Sequence, residues 1–388
     1  MSVPASGLSA PASPSSKRAT RARIDLDALC HNVGVLREVV GPRTMLMAVV
    51  KADAYGHGAV PIARAALDAG AMMLGVATVD EGVTLRQAGI DAPILAVAPT
   101  VEEEFDAALT YGISLGMGSS AMAARLASRA LARGKTMGVH VEVDTGLHRF
   151  GVPLDNALTE ITRIAALDGL RLEGVYTHMA TSETPEEGSA AAQLLFYETL
   201  LERLATLGMV PDVLHHAANS GGVLEMPEAR FDVVRPGLAL YGYHPAGSGA
   251  LGRGLRAVLS LTTRLVRLES VAPGAGVSYN HTFITRRETL LGLVPLGYGD
   301  GLPRLLSNRG HMLVRGRRAP IVGRVCMDQT VLDLTDVPGI AEGDEVVAIG
   351  AQGDEFIGAD EIALHAQTNA YEVLCGIAPR VPRDYVGR

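Results

Sequence analysis

Between Arg21 and about residue 250, short apolar runs alternate with segments rich in Ala, Leu, Glu and Arg. The runs fall at residues 44–50, 72–77, 93–97, 113–116, 139–143, 172–177, 213–217 and 231–234, with a helix-like stretch between each pair. That alternation is the pattern of parallel βαβ units, and eight such units close into a (β/α)8 barrel. In that fold chemistry gathers at the C-terminal ends of the strands, with phosphate commonly held by the loops after the last two. From residue 251 the texture changes to β-rich runs broken by Gly, Pro and Asp, at 259–268, 289–295, 312–314, 321–325, 330–334 and 344–349. The pattern therefore predicts an α/β chain with an N-terminal (β/α)8 barrel over residues 21–250 and a C-terminal mostly β domain over residues 251–388, joined through the Gly-rich stretch 245–254. Residues 1–20, rich in Ser, Ala and Pro with no apolar core, read as a disordered extension rather than a secretory leader.

Composition narrows the classes. A length of 388 residues with 48% hydrophobic content suits two domains with full cores. A net charge of -8 without a basic cluster argues against nucleic acid. No stretch approaches the ~20 apolar residues of a membrane span. Cys30, Cys326 and Cys375 lack metal-ligand spacing, so no metal is expected, and three cysteines scattered in this way suit a reducing cytoplasm.

The strand ends carry the candidate chemistry. Lys51 stands where the run Met45-Leu-Met-Ala-Val-Val50 ends, and a lysine among apolar neighbours loses ammonium stability and becomes a nucleophile able to attack an aldehyde. Glu142, inside the fifth run, precedes Arg149 by seven residues, so a carboxylate could fix a guanidinium whose remaining donors await an anion. His178 ends the sixth run and His215-His216 the seventh. Asn219-Ser220-Gly221-Gly222 and Arg235-Pro236-Gly237 follow the last two runs, where backbone N–H groups can approach phosphate closely and Arg235 can meet a ring nitrogen. Each residue alone has a structural alternative: a solvated lysine, a rim ion pair, a hydrogen-bonded core histidine, an ordinary helix cap.

Taken together, the residues resemble a known family. Val49-Val-Lys51-Ala-Asp-Ala-Tyr55-Gly-His-Gly58 resembles the pyridoxal phosphate attachment motif of the alanine racemases. The resemblance continues through Val143-Asp-Thr-Gly146, Tyr176-Thr-His178, Ala218-Asn-Ser220, Arg235-Pro-Gly-Leu238, Val277-Ser-Tyr279, Leu296-Gly-Tyr298-Gly-Asp300-Gly301, Gly323-Arg-Val-Cys-Met327-Asp-Gln329 and Ala370-Tyr371-Glu372. So many short motifs in one order are far more specific than any single match.

The resemblance implies a pyridoxal 5'-phosphate enzyme of fold type III that interconverts L- and D-alanine as a homodimer with shared active sites, supplying D-alanine for peptidoglycan. Lys51 would bind the cofactor and act as one base, with Tyr279 of the partner subunit as the other, because inversion needs a proton to leave one face and arrive on the opposite one. His178, Arg235 and His216 would support the tyrosine through a hydrogen-bonded chain. Tyr55, Asn219, Ser220, Gly237, Leu238 and Tyr371 would hold the cofactor, and Arg235 would meet its ring nitrogen. Arg149 would bind the substrate carboxylate and the cofactor's ring hydroxyl, assisted by the backbone of Met327 of the partner subunit, with Tyr298 and Arg304 of the partner subunit and Glu183 of the barrel at the entrance. Two positions depart from the family. Glu142 replaces a lysine that many members carbamylate, and is expected to orient Arg149 with a permanent carboxylate, its shorter reach made up by a shift of the arginine or by a bridging water or ion. His148 stands where glycine is frequent. Broader racemases acting on serine or other small amino acids, a non-catalytic pyridoxal phosphate-binding protein, and decarboxylases of the same fold remain the alternatives, and Tyr279 speaks against the second.

Overall fold

The computed structural model describes residues 17–209, 212–247 and 254–387. In chain order, the strands to the end of the first domain are β1 (Arg21–Asp25), β2 (Met45–Val49), β3 (Met73–Val76), β4 (Ile94–Ala96), β5 (Ser114–Met117), β6 (Met137–Asp144), β7 (Val152–Pro153), β8 (Leu170–Tyr176), β9 (Leu214–His216) and β10 (Val233–Val234). All eight expected barrel runs contain a strand, ordered β10-β2-β3-β4-β5-β6-β8-β9 in one parallel sheet, with β7 a short side branch on β6. Closure comes from backbone bonds rather than a ladder: Asp232 N donates to His215 O at 3.0 Å and Arg235 N to Ala218 O at 2.8 Å. The helices supply the outer ring because their apolar positions recur at helical spacing. In Ser189–Thr206, Leu194, Tyr197, Leu200 and Leu204 are buried, and Tyr197 donates its hydroxyl to Val175 O at 2.6 Å.

The second domain is built around a sheet in which Leu259–Arg264 (β11) pairs with Glu345–Gln352, His311–Val314 and Arg317–Pro320 extend one side, and β1 and Arg383–Val386 extend the other. A three-stranded sheet of Arg267–Val271, Thr289–Val294 and Thr330–Asp333 lies beside it. Three details differ from the expectations. β1, placed with the barrel by sequence, is hydrogen-bonded antiparallel to β11 in the second sheet. The run at 259–268 is two strands, because Leu265 N still bonds to Asp344 O while Val266 N turns to Leu293 O in the neighbouring sheet. The run at 321–325 forms only a single bridge, Ile321 to Leu332, since the chain bends at Gly323 (φ 76), where a Cβ would meet Val277 O at 2.7 Å. Of the expected N-terminal extension, residues 1–16 lie outside the described residues, while Thr20 is buried and donates to Pro295 O at 2.6 Å. The Gly-rich connector is described only at 245–247 and 254.

Candidate active site

At the C-terminal mouth of the barrel, Lys51, Tyr55, Glu142, Arg149, His178, Asn219, Ser220, Arg235, Gly237, Leu238 and Tyr371 line one cavity of about 240 Å³, together with Val49, Val97 and Tyr176. Sequence had singled out every one of the first eleven. Tyr371 reaches the cavity from the second domain, on the short helix Ala370–Cys375.

Lys51 opens an unusual turn. Ala52, Asp53, Ala54 and Tyr55 all have φ of 52 to 53, a left-handed turn made of non-glycine residues, and L-residues disfavour this region by ~1–2 kcal/mol each. The turn persists because its polar groups are bound: Ala54 N donates to Val50 O (2.9 Å), Ala52 N to Glu81 Oε1 (2.7 Å), and Ala59 N to Asp53 Oδ1 (2.7 Å). The same Glu81 carboxylate accepts from Ala77 N at 2.7 Å, tying the turn to the end of β3. Burial, helped by the Arg149 guanidinium, pulls the Lys51 ammonium below its ordinary pKa, against a raising pull from Glu81.

The anion side is made of hydroxyls and main chain. Ser220 Oγ, buried, accepts from Gly237 N (2.9 Å) and Ala239 N (3.1 Å), so its own proton remains to donate into the cavity. Asn219 caps the following helix by accepting from Gly222 N at 3.0 Å, so it acts through the backbone. Gly237 is needed for close approach: a Cβ there would lie 2.4 Å from Tyr55 Oη. Burial raises Tyr55, and it lifts Tyr371 to about 12, so both phenols stay protonated donors.

The other wall is cationic. Arg235 is fully enclosed, donating to Thr177 O (2.7 Å) and Ala217 O (3.2 Å) and meeting His216 Nδ1 (2.8 Å) and His178 Nδ1 (3.4 Å). Burial, then Arg235, Arg149 and Lys51, bring His178 down to about 3, which keeps it neutral near pH 7. Arg149 has no hydrogen-bond or ion-pair partner among the described residues, so its donors are free for an anion. The loop before it is fixed by Asp144 Oδ1, which accepts from Gly146 N, Leu147 N and His148 N at 2.9 to 3.0 Å. His148 has φ 55 and an exposed side chain 3.5 Å from Asp144, so the position needs the left-handed backbone that glycine adopts freely, and the imidazole stays out of the cavity.

The remaining candidates divide between the cavity and a separate face of the second domain. Glu142 makes no ion pair with Arg149 within 4.0 Å among the described residues. Burial lifts its carboxyl pKa, opposed by the Tyr176 hydroxyl and by Arg235 and Arg149, so it shares the charge of the wall rather than gripping one guanidinium. Tyr279, Tyr298 and Met327 do not line the Lys51 cavity of their own chain. They are 68%, 42% and 54% exposed. Tyr279 and Met327 border a separate recess of the second domain, and Tyr298 N bonds to Cys326 O at 2.9 Å, next to Met327 in the chain. Arg304 begins the short 3-10 turn Arg304–Leu306, away from the cavity. Glu183 lies close enough to Tyr371 to help raise it. Sequence reasoning missed Tyr176, whose ring stacks on His216 at 4.8 Å and 5° and lies 5.3 Å below the Arg235 guanidinium. Its place at the end of β8, two residues before His178, was the available signal.

Two family models span the chain. One described as alanine racemase, N-terminal domain, matches residues 24–245, and one described as alanine racemase, C-terminal domain, matches residues 258–385. An alanine racemase of Desulfosudis oleivorans is 43% identical over 374 residues, covering 94% of this chain and 96% of its own. The crystal structure of alanine racemase from D-cycloserine-producing Streptomyces lavendulae superposes with a TM-score of 0.91 at 38% identity, covering 96% of this chain and 98% of the other. That of Bartonella henselae with covalently bound pyridoxal phosphate gives 0.85 at 29% identity, covering 95% and 99%.

Proposed function

Because this chain belongs to the alanine racemase family and is an amino-acid racemase, we propose that it interconverts L- and D-alanine with pyridoxal 5'-phosphate in the Lys51 cavity, as a homodimer in which Tyr279 of one subunit faces Lys51 of the other. The observation that carries this reading is the convergence, in one cavity, of a depressed amine, a hydroxyl-lined pocket and two guanidinium groups. The cofactor fits the donor set: Ser220, Tyr55 and Tyr371 offer O–H donors and Gly237 and Leu238 close main chain for a phosphate, Lys51 an amine for an aldehyde, and Arg235 a donor for a ring nitrogen. Family membership removes the non-catalytic and decarboxylase alternatives.

Bound, the cofactor acidifies the α-hydrogen of the amino acid joined to it. Arg149 holds the substrate carboxylate and so fixes which face of the α-carbon meets Lys51 Nζ. Lys51 Nζ takes or returns the proton on that face, and Tyr279 Oη of the second subunit does so on the other. Arg235 has only donors and cannot readily lose a proton, so it would keep a ring nitrogen it faced unprotonated and thereby limit side reactions. The product D-alanine suits peptidoglycan synthesis. The scattered positions of Cys30, Cys326 and Cys375 suit a cytoplasmic setting, and among the described residues no helix is long and apolar enough to cross a membrane. A racemisation assay on L-alanine, L-serine and L-lysine tests the reading. Alanine is expected to turn over fastest, with Lys51→Ala losing at least ~10³-fold in kcat. Retained activity without Lys51 would overturn it, whereas faster turnover of serine would move the chain to the broader racemases.

A further inference from the structure

Behind Arg235 a line of buried side chains runs away from the cavity into the barrel. Arg235 Nη1 lies 2.8 Å from His216 Nδ1, His216 Nε2 lies 2.9 Å from His140 Nδ1, and His140 Nε2 lies 3.8 Å from Glu173 Oε2. A guanidinium can only donate, which fixes every proton behind it. His216 Nδ1 must accept, so the proton of the neutral ring sits on Nε2. His140 Nδ1 must accept that proton, so its own sits on Nε2 and points at the Glu173 carboxylate. The last step is too long for a hydrogen bond, and His140 Nε2 has no hydrogen-bond partner among the described residues. It is a charge–dipole contact between a buried imidazole and a carboxylate that is 22% exposed. Both imidazoles are kept neutral by burial, with Arg235 adding to the effect, and His140 falls to about 4 against a raising pull from Glu173.

Three features show that the line is built rather than incidental. In the ladder between β6 and β8, Val139 pairs with Leu172 and His140 with Gly174, so Glu173 is the extra residue of a β-bulge, a device that re-aims a side chain. A Cβ at Gly174 would lie 2.1 Å from His140 Nδ1, and one at Gly138 would lie 2.2 Å from Glu173 Oε2, so both strands are cleared for these two side chains. The carboxylate is itself held, by Ser114 Oγ at 2.6 Å and by Arg171.

We propose that His140 and Glu173 are positioning residues for the racemase site, acting through His216 to hold the Arg235 guanidinium in one orientation. Glu173 sets the direction of the line: with its charge in place the His140 proton belongs on Nε2, leaving Nδ1 to accept. Were His140 to carry its proton on Nδ1, it would oppose the His216 Nε2–H, and relief by a His216 tautomer change would set an N–H against Arg235. The guanidinium would then lose the partner that complements its carbonyl bonds to Thr177 and Ala217.

This rests on the function proposed above for Arg235, and the test separates the two. Ring-nitrogen NMR of the enzyme near neutral pH, which reads the proton positions without turnover, is expected to place the proton on Nε2 in both His216 and His140. Glu173→Gln is expected to give a mixed His140 tautomer. In the cofactor-loaded enzyme, His140→Leu leaves the His216 Nε2–H without an acceptor and is expected to lower kcat by about tenfold, the lower range for orphaning a buried donor, with KM changed less than about twofold. His140→Gln restores an acceptor and is expected to recover most of the rate, which a purely structural role would not produce. A proton on Nδ1 of either ring, or wild-type kcat in both His140→Leu and Glu173→Gln, would overturn the proposal. Proton positions as stated in a wild-type enzyme that does not racemise alanine would instead sink the functional reading alone.

Discussion

His57, His140 and His178 are buried imidazoles whose pKa values burial brings to about 4, about 4 and about 3, from an ordinary 6.5. A depressed histidine disfavours the folded state once the unfolded chain begins to bind the proton that the folded chain refuses. Their contribution is thus fully present above pH 6.5 and is lost as pH falls toward 4. Denaturant titrations are expected to show the unfolding midpoint dropping through that window, and His57→Phe, which removes one of the groups, is expected to flatten the drop. A midpoint independent of pH there would contradict the assigned burial. Residue identity foretold the cavity well at Lys51, Arg149, Ser220 and Arg235, because each stands just past a strand where the barrel directs chemistry. It foretold less where the role depends on contact. Glu142 shows a carboxylate in the right place, but only the fold shows that it faces Tyr176 and two arginines together. His140 and Glu173 looked like strand residues because a bulge cannot be seen in the alternation of a single strand.

At the level of elements, the left-handed turn after β2 is the feature that sequence concealed. Ala52-Asp53-Ala54-Tyr55 contains good helix formers and no glycine, and nothing in those residue types announces positive φ. The signals lie outside it, in Gly56 and Gly58, with φ of 79 and 97, and in Glu81, whose carboxylate reaches back to Ala52 N. A sign reversal follows. In a right-handed helix Ala→Gly destabilises by ~0.5–1 kcal/mol, whereas Ala52→Gly relieves ~1–2 kcal/mol of backbone strain and is expected to leave stability unchanged or raise it by up to ~1 kcal/mol. Thermal unfolding of the variant reads this directly, and a clear loss of stability would mean that the turn is not left-handed in solution. The barrel strands were legible because parallel strands buried on both faces read as continuous apolar runs. The second domain was legible in composition but not in pairing, since a run such as 259–268 changes sheet partner between Leu265 and Val266 with no mark in the residues.

For the whole molecule, the Lys51 cavity and Tyr279 stand apart within one chain. The Lys51 cavity gathers the residues proposed to hold the cofactor, while Tyr279 stands on an exposed loop where Ser278, Asn280 and His281 all have positive φ. That loop is anchored by Ser278 Oγ donating to Arg324 O at 2.7 Å, so the phenol is held outward rather than left loose. Strain kept at an exposed aromatic is intelligible if a second copy receives it. Tyr298 and Met327 are exposed as well, and Met327 borders the same recess as Tyr279. The most direct measurement mixes Lys51→Ala chains with Tyr279→Phe chains under conditions of verified subunit exchange and follows racemisation of L-alanine. Each variant alone is expected to be nearly inactive. Half of the dimers in an equal mixture are hybrids with one intact site of two, so recovery to about a quarter of wild-type turnover is expected. No recovery after complete exchange would contradict a site shared between two chains.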